Sequence, residues 1–125
     1  MAFFIFRVKI LNRLQMKKII DKEILPNGVV ILTMNNPEVN NNVTWKAVED
    51  LYLEIKDSRE SGSNIFILAS ALDDHWFEHA WLEDILALYE GRETTAPGVS
   101  WFYLMKEITH PDIISISSIN GRASG

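Results

Sequence analysis

The sequence contains no cysteine. Disulfide frameworks, thiolate nucleophiles and cysteine-based zinc sites are therefore excluded, which suits a reducing compartment; the expected location is the cytoplasm. Nor is there a run approaching the ~20 apolar residues that a membrane-spanning helix needs. A basic surplus is also missing. With 12 Lys and Arg against 17 Asp and Glu, the net charge of −5 argues against broad nucleic-acid binding, which requires cationic surface to displace counterions. No internal repeat or low-complexity segment stands out beyond Asn40-Asn41-Asn42.

A more local absence marks the start of the chain. Residues 1–20 include no acidic side chain, yet hold Arg7, Lys9, Arg13, Lys17 and Lys18 among apolar Phe3, Phe4, Ile5, Phe6, Val8, Ile10, Leu11 and Leu14. The apolar start is too short for a secretory signal, and its charges follow it instead of preceding it. Three readings stay open: an extension over 1–18 ahead of a domain at 19–125, an organelle-targeting segment (although serine is lacking), or a first structural element. Met16 stands as an alternative start to Met1.

What is present is globular. Hydrophobic residues make up 47% and charged residues 23% of 125 residues, enough for one domain with a core. Ile19, Ile20 and Ile24, then Pro26-Asn27-Gly28, then Val29 to Met34 predict a β-hairpin with positive backbone angles at Asn-Gly. Thr44 is placed to cap a helix running to about Arg59, because Val48, Leu51, Tyr52 and Ile55 share one face. That spacing leaves Glu49, Asp50, Glu54 and Lys56 for water.

Ile65 to Ala69 has the short apolar run of a covered parallel strand. A loop over 70–80, a helix from Trp81 to about Tyr89, a surface loop over 91–98 and a helix from Val99 to Thr109 follow. His110-Pro111 ends that helix. Ile113 to Ile119 predicts a last strand, with Ser115, Ser117 and Ser118 as small packing residues. Strands alternating with helices imply an α/β fold with parallel pairing.

Three segments carry a resemblance. Thr33-Met34-Asn35-Asn36-Pro37-Glu38-Val39-Asn40-Asn41-Asn42-Val43-Thr44 is similar to T-L-N-R-P-E-x-x-N-A-L-T. Trp76-Phe77-Glu78-His79-Ala80-Trp81-Leu82 stands where F-S-x-G-x-D-L is expected. Ile116-Ser117-Ser118-Ile119-Asn120-Gly121-Arg122-Ala123-Ser124-Gly125 resembles I-A-A-V-N-G-x-A-x-G-G-G. Together, over about Ile19 to Gly125, they resemble the N-terminal part of the enoyl-CoA hydratase/isomerase (crotonase) family.

The resemblance implies the first turns of a spiral of ββα units, with acyl-CoA as substrate and no further cofactor. In that chemistry negative charge develops on a thioester oxygen, and two backbone N–H groups stabilise it without reorganisation. By resemblance Ala80 supplies the first donor. Gly125 matches the first glycine of the Gly-Gly-Gly run, so the second donor and the acid/base carboxylates lie beyond it. Asn40, Asn42, Glu78, His79, Ala80 and Trp81 are the implied substrate contacts. The 125 residues alone are expected to be inactive, and the parent protein to be a homotrimer or hexamer.

This chain departs from the pattern where His79 replaces glycine, Trp81 aspartate and Trp76 phenylalanine, and where Asn36 and Asn40 stand at positions at which basic residues are common. Two other readings compete. One is a crotonase-like protein that binds without turnover. The other is a zinc peptidase, because His75-Trp76-Phe77-Glu78-His79 spells H-x-x-E-H, whose histidines hold metal when they share a helix face. A third ligand would then come from Glu90, Glu93 or Glu107. Asp73-Asp74 has the character of a turn. Trp45, Trp76, Trp81 and Trp101 are candidates either for stacking on an adenine or for core packing.

Overall fold

A computed structural model describes residues 2–124. Met1 and Gly125, and with them the reading of Met1 as the start and of Gly125 as the first of three glycines, lie outside the described residues.

The sheet is built outward from its most apolar strand. In β2 (Val30–Met34), Val30, Leu32 and Met34 alternate, fully buried, with half-buried Ile31 and Thr33, as a pleated strand requires. β1 (Ile20–Ile24) pairs antiparallel with it, Ile20 facing Met34. β3 (Ile65–Ser70) lies parallel on its other side, with Val30 opposite Phe66 and Leu32 opposite Leu68. β4 (Ile114–Ser117) extends β3 in parallel. Four strands in sequence order form one mixed α/β sheet.

The hairpin turn differs from expectation. Only Gly28 takes a positive φ, at 86°, and its N–H donates to the Leu25 carbonyl at 2.9 Å. Pro26 explains this. Its ring fixes a negative φ at the second turn position, which selects a type I turn closed by a left-handed glycine rather than an Asn-Gly turn with two positive angles.

Helix α2 (Trp45–Glu60) starts where Thr44 accepts the Ala47 N–H at 3.1 Å. Its face of Val48, Leu51 and Ile55 packs on the sheet beside Phe66, Leu68 and Leu104. Leu104 comes from α4 (Ser100–Ile108), which is tied to α2 by a two-pronged pair between Arg59 and Glu107 at 2.7 and 3.1 Å. The Arg59 guanidinium holds the Glu107 carboxyl below its ordinary value.

The loop over 91–98 is not wholly a surface loop, because Thr95 and Ala96 are buried. The reason is Asp84 of α3 (Leu82–Tyr89). Its buried carboxylate accepts Thr95 N–H at 2.8 Å, Thr95 Oγ1 at 2.5 Å and Trp45 N–H at 2.8 Å, satisfying the start of α2 from outside. Ser115 and Ser117 are exposed on β4, the edge strand of the sheet, rather than packed.

The acid-free opening forms helix α1 (Ala2–Met16). It is anchored at its end, where Leu14 is buried and Gln15 donates to the Thr94 carbonyl at 2.8 Å. Its first turns leave Phe3, Phe4, Ile5 and Phe6 exposed.

Phe66→Ala is expected to cost about 3–5 kcal/mol, the usual range for emptying a filled aromatic site. Ile116→Ala, at an exposed position, should stay within about 0.5 kcal/mol. Urea unfolding of the two variants checks the contrast; similar losses would contradict a core centred on β2 and β3.

Candidate functional site

The ends of β2, β3 and β4 feed three loops on one side of the sheet, and one buried side chain fixes their relation. Pro37–Val39 forms a short 3₁₀ turn, after which Asn40 and Asn41 adopt left-handed backbone angles, φ 50° and 55°. Asparagine tolerates these angles better than other side-chain-bearing residues. The second turns the Asn41 amide inward. Its Nδ2 donates to the Met34 carbonyl at 3.2 Å and to Ser70 Oγ at 2.8 Å, while Oδ1 accepts Asn36 N–H at 2.8 Å. The Asn41 carbonyl accepts Glu78 N–H at 3.0 Å. Sequence reading chose Asn40 and Asn42 and passed over Asn41, although it stands at the asparagine of the resembled pattern.

From this hub the loop over 71–81 runs beside Val43. His79 carbonyl accepts Val43 N–H at 3.0 Å, and Trp81 N–H donates to the Val43 carbonyl at 2.9 Å. In such a parallel bridge the intervening residue, Ala80, is paired with Val43 through its neighbours' groups. Its own N–H faces the other way. Among the described residues that N–H has no hydrogen-bond partner, and Ala80 is exposed.

The same loop is clamped to the segment after β4. Trp76 N–H donates to the Arg122 carbonyl at 2.8 Å, and Arg122 N–H to the Asp74 carbonyl at 2.9 Å. Asn120 Nδ2 reaches the Leu72 carbonyl at 2.8 Å. Gly121 makes this approach possible. A Cβ there would lie 2.4 Å from the Asp74 carbonyl carbon and 2.8 Å from His75 N, a backbone contact that only glycine permits.

Glu78 adds a side-chain clasp. One carboxylate oxygen meets His75 Nδ1 at 2.9 Å and the other accepts the Ser124 hydroxyl. Ser124, then His75, hold the Glu78 carboxyl below its ordinary value, because both bonds favour the charged form.

Two cavities flank Asn40 and Asn42. One, of about 360 Å³, is lined by Glu78, His79, His75, Arg122 and Ser124 together with the two asparagines. The other, of about 550 Å³, lies between them, Trp81 and the α1 residues Phe6, Ile10 and Arg13. The named candidates thus gather on one side of the sheet: Asn40, Asn42, Glu78 and His79 around the first cavity, Trp81 beside the second, and Ala80 between His79 and Trp81 in the chain. Trp76 and Trp45 pack against the core, and Trp76 Nε1 is spent on the Leu68 carbonyl at 3.2 Å.

The departures from the resembled pattern become intelligible here. His79 is not among the residues with positive φ, so glycine's backbone freedom is not required before Ala80. Trp81 is the N-cap of α3 and makes no side-chain cap bond. An aspartate there would cap the helix, worth about 1 kcal/mol; Trp81 instead lines the cavities it shares with Phe6 and Ile10 of α1.

The H-x-x-E-H pentad lies in the loop, not on a helix, so its histidines do not share a helical face. His75 Nδ1 faces Glu78, and among the described residues no three His, Asp or Glu side chains converge as metal ligands. The donor set does not fit a zinc centre.

No family model matches the sequence, and no curated protein matches it. Solved structures do. A structure described as a polyketide biosynthesis enoyl-CoA hydratase from Bacillus subtilis is 18% identical, with a TM-score of 0.67, over 85% of this chain and 42% of its own. An enoyl-CoA hydratase/isomerase from Pseudoalteromonas atlantica is 23% identical, TM-score 0.66, over 83% and 39%. An enoyl-CoA hydratase from Bacillus halodurans is 20% identical, TM-score 0.67, over 83% and 43%. The fold is about two fifths of a crotonase. Identities this low establish the crotonase fold alone, and the chain spans well under half the length of each of these structures.

Two expected outcomes follow from the clamp. Gly121→Ala forces the 71–81 loop and the 120–124 segment apart, so amide exchange at Trp76 and Arg122 should accelerate while Leu32 and Leu68 keep their protection. Unchanged exchange at Trp76 would mean the close approach is not structural. The Glu78 clasp is also pH-dependent. A carboxyl depressed in the folded state contributes stability above its ordinary range, lost as pH falls through the depressed value. An acid titration of thermal stability should therefore fall less steeply for Glu78→Gln than for the unaltered chain; parallel curves would show that the clasp contributes nothing.

Proposed function

We propose that this chain is part of an acyl-CoA-binding protein of the enoyl-CoA hydratase/isomerase family, with the Ala80 N–H as one of two donors to the thioester oxygen. The observation that carries the reading is that amide. It is turned away from the Val43 bridge and has no partner among the described residues, on a loop held against the Asn120-Gly121 turn from which the resembled pattern leads to its second donor. A backbone donor fixed at both neighbours is preorganised, so it needs no rearrangement as charge develops. The fold shared with enoyl-CoA hydratases supports the same reading.

On this reading Asn40, Asn42, Glu78, His79 and Trp81 contact the bound thioester. With one donor and without the downstream carboxylates, the 125 residues bind but do not turn over. The expected measurement is saturable binding of a CoA thioester by calorimetry, with no consumption of crotonyl-CoA. Ala80→Pro deletes the N–H, while the groups that bond Val43 belong to residues 79 and 81; with those bonds kept, as amide exchange at Trp81 would report, it should weaken thioester binding by about 0.5–1.5 kcal/mol, the net value of one hydrogen bond. In the longer protein it should lower kcat by about 10²–10³. Turnover by the isolated chain would refute its inactivity, and wild-type binding by Ala80→Pro would remove Ala80 from the site.

One observation favours a second reading, a crotonase-like protein that binds without catalysis. His79 and Trp81 stand where the resembled pattern has glycine and aspartate, and Glu78, the one carboxylate among the described residues lining the 360 Å³ cavity, is engaged by His75 and Ser124. A longer protein that binds crotonyl-CoA without consuming it would decide for this reading.

A further inference from the structure

The arginines of this chain differ in what meets them. Arg13 pairs with Glu38, Arg59 with Glu107 and Arg92 with Glu90, while Arg7 lies 4.8 Å over the Phe3 ring. Arg122 has no ion-pair partner among the described residues. Its main chain, by contrast, is held on both sides. Trp76 N–H donates to the Arg122 carbonyl at 2.8 Å, and Arg122 N–H donates to the Asp74 carbonyl at 2.9 Å. The guanidinium is thus carried on a backbone bonded to the loop that bears Ala80. Arg122 lines the 360 Å³ cavity together with Asn40, Asn42 and His79. Glu78, the one carboxylate in that lining among the described residues, directs its oxygens to His75 and Ser124 instead. In a chain with 17 acidic side chains, a guanidinium at a concave site that none of them pairs with is available to an anion from outside.

We propose that the ligand of this site is a thioester of a dicarboxylic acid, its free carboxylate bound by Arg122. The inference rests on the acyl-CoA reading above and names the substrate class within it. A guanidinium offers a planar fork of N–H donors that matches a carboxylate through two parallel bonds. Asn40 and Asn42 line the same cavity, and their amides add neutral donors. Position decides between this carboxylate and the phosphates of CoA. His79 immediately precedes Ala80, and Arg122 is bonded into the same loop, so the cavity borders the thioester. The phosphates of CoA lie a whole pantetheine arm away from the thioester sulfur. An anion beside Arg122 therefore belongs to the acyl group.

Succinyl-CoA and butyryl-CoA have acyl chains of equal length, one ending in a carboxylate and the other in a methyl group. Calorimetry of the full chain with each is the test. Succinyl-CoA should bind about tenfold more tightly, the usual worth of a hydrogen-bonded charge. Arg122→Gln keeps both main-chain bonds and should bring the two affinities together by weakening succinyl-CoA. Equal binding of the two by the unaltered chain, or tighter binding of butyryl-CoA, overturns the proposal and leaves the acyl-CoA reading standing. A preference that survives Arg122→Gln overturns it as well. So does an equal weakening of both ligands, which would put the guanidinium on a phosphate common to the two. Binding of neither thioester removes this proposal and the reading beneath it together.

Discussion

The candidate site depends on one buried amide. Asn41 satisfies the Met34 carbonyl at the end of β2, Ser70 at the end of β3, the Asn36 N–H and, through its backbone carbonyl, Glu78 N–H. These groups lie at the end of β2 and on the segment after it, at the end of β3 and in the loop that follows it, and among the described residues Asn41 bonds to all of them. Burying polar groups is favourable only when each is paired, so the arrangement is specified closely: displacing one segment strands partners in the others. The free amide of Ala80 and the wall made by Asn40 and Asn42 lie within two residues of this network.

A second constraint is backbone approach. Gly121 sits so close to Asp74 and His75 that any side chain would overlap main-chain atoms. The paired Trp76 and Arg122 bonds form because the glycine allows them. Asn41 therefore fixes the loops to the ends of β2 and β3, and Gly121 fixes them to the segment beyond β4. The strands themselves only deliver the chain to these points.

Parts of this were legible in the sequence because they rest on local patterns. The alternation in β2, the apolar spacing of α2 and the Thr44 cap are period and capping signals, and each stands where it was expected. The site was legible only in outline. Asn40, Asn41 and Asn42 are chemically identical, and which one turns inward is decided by two consecutive left-handed residues that no composition reveals. Asp84 reads as an ordinary acidic residue in a helix's first turn; its role as a buried acceptor for Trp45 and Thr95 depends on a contact across 39 residues. Gly121 reads as a turn residue, whereas its need comes from a loop nearly 50 positions earlier. The hairpin was misjudged for a local reason, since Pro26 overrides the preference of Asn-Gly.

The residues at 79 and 81 bear on what fixes the direction of a backbone amide. If the geometry of the Ala80 N–H depended on a glycine before it, histidine at 79 would misdirect it. Here the direction of that N–H is set by the hydrogen bonds of its two neighbours to Val43, and His79 adopts an ordinary negative φ. Side chains at 79 and 81 are then free to change without turning the amide, provided the Val43 bridge persists. That bridge rests in turn on Asn41, two residues from Val43, whose carbonyl receives Glu78 N–H. An amide oriented in this way tolerates wide divergence of the side chains around it, because its direction is set by main-chain bonds and not by the residues at 79 and 81.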